Sequence, residues 1–335
     1  MVDDARLSYT AANVFPVKLF HNLQLMRSIV REKYIPPVHV QLNPTNHCNF
    51  NCGFCSCGAR NTNLELDYPA INNIMLKFHD LECQSATITG GGEPLCHKQI
   101  GYVLTTLKKV HRINLGLVTN GSLLMSIRAD ILDLLTWIRI SSANTQEYRR
   151  HGVSNPNSRT HLAAVVNYSK TIDWSFSHVV TSSADIDIIK DVVRFANVHR
   201  FTHVRLVSDL LNLEKVPPMD DIKSALLADG IDDVSVIYQG RKQYTKGAKN
   251  CYISLLKPVV GADGYLYPCC GVQYALENPS KDYEKSMRMG DYNDIDRIWR
   301  DQVPFDGSNC VKCYYSEYNN ALDLLLKDIH HVEFI

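Results

Sequence analysis

Cys48, Cys52 and Cys55 stand at C-x3-C-x2-C spacing within the run Cys48-Asn49-Phe50-Asn51-Cys52-Gly53-Phe54-Cys55. Three thiolates so spaced can bind three irons of a 4Fe–4S cube. The usual protein cluster takes four thiolates, so a set of three leaves one iron open to act as a Lewis acid. A zinc site, or a chance grouping of buried thiols, would use the same residues. Later in the chain come Cys251, Cys269, Cys270, Cys310 and Cys313; Cys57, Cys83 and Cys96 complete the eleven cysteines. Thiolates at 251, 269, 310 and 313 make a closed set suited to structural zinc or to a second 4Fe–4S cluster. Residues 90–94 read Gly-Gly-Gly-Glu-Pro. The glycines let backbone approach a ligand closely, and Glu93 adds a carboxylate that can accept hydrogen bonds from an ammonium group. A plain glycine-rich turn, with Glu93 capping the next helix, is the competing reading.

These residues need a scaffold, and 335 residues suffice for one large domain or one large and one small. The apolar run Val38-His39-Val40-Gln41-Leu42 precedes the first cysteines as a strand. Helical spacing is expected over 69–82, 98–111, 123–135, 158–171 and 186–199. Between these helices lie apolar or β-branched runs at 86–89, 114–118, 137–140, 174–180 and 203–207, making six strands. Strands alternating with helices imply βαβ units and a parallel sheet, curled by right-handed crossovers into a barrel or a doubly wound sheet. Chemistry in such folds gathers at the C-terminal strand ends. Those ends carry the cysteine loop, then Gly91, Gly92 and Glu93, then Thr119-Asn120-Gly121, then Ser141, then Thr181. Asn-Gly is also an ordinary turn signal, and Ser141 can be a strand-end hydroxyl satisfied by backbone. Arg205 on the sixth strand points either inward to a carboxylate or into an ordinary salt bridge.

Ahead of the first strand, residues 1–16 read as a loosely held arm. Leu19, Leu23, Met26 and Val30 give 17–34 one buried helical face, stopped by Pro36-Pro37. After the sixth strand, 208–245 hold a helix at 219–228 and a strand-like 234–238. From Cys251 a strand over 253–260, a turn at Asp263-Gly264 and a partner strand at 265–268 form a hairpin, followed by a short helix near 295–300 and a final helix over 314–330. Lys+Arg equals Asp+Glu at 35 each, which argues against a surface built to coat a polyanion. No apolar run reaches eighteen residues and no signal pattern opens the chain, so a soluble cytoplasmic protein is expected, in which cysteines serve metals or catalysis rather than disulfides.

The cysteine spacing after a first strand, with Phe54 before the last cysteine, resembles the radical S-adenosylmethionine (radical SAM) enzymes. The GGGEP run is similar to that family's GGEP motif, and Thr119-Asn120-Gly121 to its TNG element. The resemblance implies a partial (β/α)6 barrel in which Cys48, Cys52 and Cys55 hold a 4Fe–4S cluster. Its open iron chelates S-adenosylmethionine, and reductive cleavage gives a 5′-deoxyadenosyl radical. Phe54, Gly91, Gly92, Glu93, Asn120, Ser141 and Thr181 are then cofactor contacts. Many relatives have Asp after the serine and apolar residue of the fourth strand; here that element reads Ser141-Ser142-Ala143-Asn144. The hairpin between Cys251 and Cys269, closed by Cys310-Val311-Lys312-Cys313, resembles the family's twitch domain, the shortened SPASM domain with one auxiliary 4Fe–4S cluster. The family's Pro-Cys arrangement favours Cys269 over Cys270 as the fourth ligand. The organisation expected is an arm and helix at 1–35, a barrel at 36–210, a linker at 211–247, and a twitch domain with C-terminal helix at 248–335.

In relatives with a single twitch cluster this architecture goes with oxidation of an aminocyclitol alcohol. The resemblance therefore implies dehydrogenation of a small polar substrate, with flavodoxin or ferredoxin as electron donor and neither membrane nor nucleic acid indicated. Competing expectations are peptide or protein modification, radical rearrangement of a nucleoside or modified base, and a non-catalytic zinc-binding or electron-carrier module.

Overall fold

In the computed structural model the described residues are Tyr9, 16–143, 171–240, 245–277 and 282–334. All but the last residue of the helix expected over 158–171 lies outside them. The chain runs α1 (Val17–His21), α2 (Leu23–Glu32), β1 (His39–Leu42), α3 (Tyr68–Asp80), β2 (Ser85–Ile88), α4 (Ile100–Lys109), β3 (Asn114–Thr119), α5 (Ala129–Leu132), β4 (Trp137–Ser142), β5 (Asp173–Val180), α6 (Ile186–Val198), β6 (His203–Ser208), α7 (Met219–Ala228) and β7 (Val236–Gln239). It continues through α8 (Ile253–Leu256), β8 (Val259–Val260), β9 (Tyr265–Tyr267), β10 (Gly290–Asp291), α9 (Ile295–Asp301) and α10 (Ser316–Leu325).

One sheet takes the order β10-β9-β8-β1-β2-β3-β4-β5-β6-β7. Strands β1 to β7 pair in parallel with their sequence neighbours, β8 lies parallel to β1, and β9 and β10 return antiparallel. This is the expected partial α/β barrel, extended at both edges. The strand-like 234–238 becomes β7 beside β6, and the hairpin of the second unit joins the other edge beside β1.

Alternation along the strands separates two faces. Val40, Leu42, Ala86, Ile88, Leu115, Leu117, Ile138 and Ile140 are no more than 1% exposed and pack under the helices, each fully buried Leu or Ile stabilising by about 1.5–3 kcal/mol. The opposite face of the same strands carries His39, Gln41, Ser85, Thr87, Arg139, Ser141, Ser175, Ser177 and Arg205, brought to one side by the pairing register. This polar face lines the lumen. Gly116 is required there, because an added Cβ would enter the Trp137 ring.

Two local expectations are corrected. The single helix over 17–34 is broken at Asn22, whose side chain accepts from Leu25 N at 3.1 Å and starts a new helix. The break rotates the buried face: Leu19, Leu25 and Ile29 are buried, whereas Leu23 is 79% exposed. The strand expected over 253–260 begins as helix α8 and becomes strand only at Val259. Tertiary bonds decide this: Ile253 N donates to Asn319 Oδ1 at 2.9 Å, and Trp299 Nε1 donates to Leu255 O at 3.1 Å. Trp299 is fully buried and meets Phe78 of α3 edge-on at 5.4 Å, while Lys77 pairs with Asp296, so α9 docks the second unit on the barrel.

Candidate active site and cysteine centres

The cysteine loop leaves β1 and is anchored on both flanks. Thr45 and Asn46 are buried, and Asn46 N bonds Leu64 O at 2.9 Å. Cys55 N donates to Cys52 O at 3.1 Å, and Gly58 N to Cys55 O at 3.1 Å, so tight turns carry the second and third thiols. Phe50 and Ala143 form a small apolar cluster with Cys48, Cys52, Phe54 and Val179, which seats the loop over the C-terminal ends of β4 and β5. Burial pushes the Cys48 thiol up to about 11.

The GGGEP segment is stitched to this loop by backbone. Gly92 N donates to Thr45 O at 3.1 Å and Glu93 N to His47 O at 2.9 Å. An added Cβ at Gly91 would meet the Asn46 amide, and one at Gly92 the His47 carbonyl. Gly92→Ala should therefore destabilise by about 1–3 kcal/mol, the usual cost of forcing extra atoms into packed space, and should weaken S-adenosylmethionine binding. A denaturant melt beside a cofactor titration checks both.

Glu93 is 3% exposed. Its Oε1 accepts from Leu95 N at 3.0 Å and Thr119 Oγ1 at 2.7 Å, and its Oε2 from Asn120 N at 2.7 Å. Three of a carboxylate's roughly four acceptor sites are thus taken by protein, leaving little for a ligand ammonium. The side chain caps the following 3-10 turn and ties β3 to the glycine loop. Glu93→Gln puts an amide donor against one of these donors, and leaving a buried group unmatched costs about 1–3 kcal/mol; a thermal melt of the variant should read that loss.

Asn120 bridges to the cysteine loop: its Nδ2 donates to Asn49 Oδ1 at 2.9 Å, and Asn49 Nδ2 donates to Ser122 Oγ at 2.8 Å. Ser141 is half-buried on the lumen face of β4. Thr181, at 7% exposure, meets Ser183 Oγ at 3.2 Å, a local turn contact.

Two residues not singled out from sequence join the site. Arg60 is 9% exposed; its Nε donates to Asn46 O at 2.8 Å, and one terminal nitrogen donates to Cys57 O at 2.7 Å and lies 3.8 Å from Cys55 Sγ. Gln273, from the second unit, donates to Cys57 Sγ at 2.9 Å. Cys57 is a buried thiol, pushed up to about 12 by burial and by Cys55. It links the first cysteine loop to the second unit. No spacing rule marks a lone Arg or Gln for such a role.

The second thiols also assemble. Cys251 N bonds Phe305 O at 2.9 Å, Cys313 N bonds Thr245 O at 2.9 Å, and Gly247 N bonds Cys310 O at 2.8 Å, drawing three separate segments together. Burial pushes Cys251 up to about 12, with Cys313 and Cys310 adding to the shift; Cys269 is pushed up by burial, then by Cys270, Cys251 and Cys313. Cys269 therefore lies within electrostatic reach of Cys251 and Cys313. Cys270 turns toward Tyr315, 3.3 Å from its hydroxyl.

Among the described residues no three His, Cys, Asp or Glu side chains converge on a site for one metal ion. A mononuclear zinc site would bring all its sulfurs to about 2.3 Å from a single point, whereas a cube spreads its thiolates over separate irons. Three thiols in one loop and four more in a second set are a donor chemistry that suits such cubes. A surface depression of about 730 Å³ is lined by Lys18, His21, Asn22, Leu23, Gln24 and Gln84, with no cysteine of either set in its lining.

Comparison with known proteins agrees with this geometry. The Radical SAM superfamily profile matches residues 42–163. A probable GTP 3′,8-cyclase from Thermoplasma volcanium is 24% identical over 176 residues, covering 50% of this chain and 53% of that protein. A GTPase Obg from Brachyspira hyodysenteriae is 28% identical over 102 residues, 28% of this chain and 15% of its own. The chain thus spans about half or less of these curated relatives. Among solved structures, Streptococcus suis SuiB bound to the precursor peptide SuiA superposes with TM-score 0.57 at 15% identity, covering 85% of this chain and 70% of that one. Native anSMEcpe with bound AdoMet and Kp18Cys peptide superposes with TM-score 0.57 at 14% identity, covering 90% and 86%. These likenesses are of fold. With the cysteine loop, the glycine loop and the barrel all in place, the chain carries a radical SAM domain at residues 42–163, on a fold shared with the SuiB and anSMEcpe structures.

Proposed function

We propose that this enzyme abstracts a hydrogen from a small polar molecule and completes a two-electron oxidation, a dehydrogenation, using an auxiliary cluster as electron acceptor. In this reading Cys48, Cys52 and Cys55 hold the first 4Fe–4S cluster, and Cys251, Cys269, Cys310 and Cys313 the second. Phe54, Gly91, Gly92, Asn120, Ser141 and Thr181 contact S-adenosylmethionine, with Glu93 positioning that loop. Bound there, cluster and cofactor supply a 5′-deoxyadenosyl radical, and the closed second cluster supplies an electron sink. The chain's own task is to exclude water and hold the target carbon near the cofactor.

The observation that carries the reading is the gathering of Cys251, Cys269, Cys310 and Cys313 from three segments, with Cys269 in electrostatic reach of Lys257, which Arg139 and Arg205 also reach. A second centre so placed can take an electron from a radical formed in the lumen. Tyr9, stacked on His203 at 4.6 Å near the start of β6, narrows the N-terminal end of the barrel, which suits a small substrate. Flavodoxin or ferredoxin fits as the donor.

Peptide modification is the second reading, favoured by SuiB and anSMEcpe having peptides bound. Deuterated polyols, amino alcohols and peptides offered in parallel separate the two. Deuterium moving into 5′-deoxyadenosine from a small alcohol, with a carbonyl product, supports dehydrogenation; transfer only from a peptide replaces it with the second reading.

A further inference from the structure

We propose that the barrel lumen holds its substrate by an oxyanion, a carboxylate or a phosphate, gripped by Arg139 from β4 and Lys257 from the turn before β8. This rests on the reading of the lumen as the substrate site and adds the chemical class that fits it.

The register places Arg139 on the lumen face, beside Val118 of β3 and Ser175 of β5, and one inward step below Ser141. The β1–β8 register pairs Gln41 with Val259, so continuing it sets Lys257 across from His39 on that lumen face, and its ammonium lies 5.9 Å over the Tyr315 ring. Burial lowers Arg139 to about 10 and lowers Lys257 as well, and Arg139 and Arg205 add to the Lys257 shift. No carboxylate contributes to either shift. Neither Arg139 nor Lys257 has an ion-pair partner among the described residues.

The surroundings make the imbalance sharper. His39 is held by Ser85 Oγ at 2.8 Å and Thr87 Oγ1 at 3.0 Å and stays neutral. His203 is 3% exposed and is pushed down to about 3 by burial, then by Arg139 and Arg205. The Nε of Arg139 and the Nε2 of His203 are sealed from solvent and meet no hydrogen-bond partner among the described residues. Arg139 spends one terminal nitrogen on Tyr9 O at 3.5 Å and stacks 5.1 Å from the Trp137 ring.

Burying an uncompensated guanidinium is costly, and such groups persist where a partner repays them. The thiols of Cys269 and Cys270 hold the Lys257 pKa up, so a negatively charged second cluster partly answers the lysine. Among the described residues no carboxylate on the β4 side answers Arg139. Its planar fork matches a carboxylate or phosphate by paired hydrogen bonds, which a point-charge ammonium cannot do. An anion bridging the two cations would anchor the substrate between the cofactor-side serine and the second centre, leaving its reacting carbon pointed toward the C-terminal strand ends.

Calorimetric titration of the anaerobically reconstituted protein with inorganic phosphate and, separately, with succinate tests this. Saturable binding of at least one probe is expected, weakened roughly tenfold or more in Arg139→Gln and in Lys257→Gln, as loss of a charge-assisted contact implies. Arg139→Lys should fall between Arg139→Gln and the parent, and the exposed Lys215→Gln should bind like the parent. Which probe binds more tightly distinguishes phosphate from carboxylate recognition. Thermal melts without anion give an independent readout: Arg139→Gln should melt no lower than the parent, because it removes an unpaired buried charge. Absence of probe binding, equal binding by the variants, or a clear drop in melting temperature for Arg139→Gln would overturn the proposal. So would an equal loss of S-adenosylmethionine affinity in that variant, which would assign the arginine to the cofactor. Anion binding intact in a protein that makes no 5′-deoxyadenosine would instead sink the reaction reading and leave the anion site standing.

Discussion

Replacing Cys48, Cys52 and Cys55 together with alanine should remove about four iron per chain and cut 5′-deoxyadenosine formation by about a thousandfold or more, to background. The fold should survive. Cys48 and Cys52 pack on the small Phe50 and Ala143 cluster, separate from the main core, and Asn46, Arg60 and the glycine segment anchor the loop. Iron analysis, a melt and product chromatography on parent and variant check the three parts separately. A variant that keeps its iron and its product would show that these thiols are not the first centre.

Cys251→Ala with Cys313→Ala should have the other large effect, of a different kind. About four further iron should be lost, and oxidised substrate should fall by about a hundredfold or more, while uncoupled 5′-deoxyadenosine formation persists. The proposed division of labour gives the reason: the first centre would supply the radical and the second would accept the electron. Stability should fall too. The segments bearing Cys251, Cys310 and Cys313 meet through a few backbone bonds, such as Gly247 N to Cys310 O, so binding energy at the cluster is also folding energy. Cys270→Ala should spare the iron, because the Cys270 thiol is engaged by the Tyr315 hydroxyl at 3.3 Å. Loss of iron in that variant would exchange the roles of Cys269 and Cys270.

How far the sequence reveals this molecule depends on the range of each interaction. The strands before the cysteine loop and the GGGEP segment are legible because alternation and turn residues act within a few positions. Asn22 breaks a continuous helical pattern through a cap three residues long, a signal that periodicity overrides when the apolar residues are counted. The 253–260 run is short, apolar and ambiguous between helix and strand, and Asn319 and Trp299, 66 and 44 residues from their partners, decide it. Arg60 and Gln273 are invisible to spacing rules because their partners are backbone carbonyls and a thiol that folding alone brings near. The lumen cations follow the same logic: Arg139, Arg205 and Lys257 become neighbours only once β4, β6 and β8 share one sheet. Glu93 shows the opposite limit. Its place in the motif is plain from sequence, yet only the structure reveals that Leu95, Thr119 and Asn120 occupy most of its acceptor sites.

Among the described residues no helix is long and apolar enough to cross a membrane. The most direct measurement is chromatography for 5′-deoxyadenosine after the reconstituted, reduced parent protein meets S-adenosylmethionine, with the electron-spin signal recorded before and after cofactor addition. A shifted signal together with 5′-deoxyadenosine above the cofactor-free background is the predicted result. A protein with both sets of thiols loaded that shows neither the shift nor the product contradicts the radical mechanism at its root.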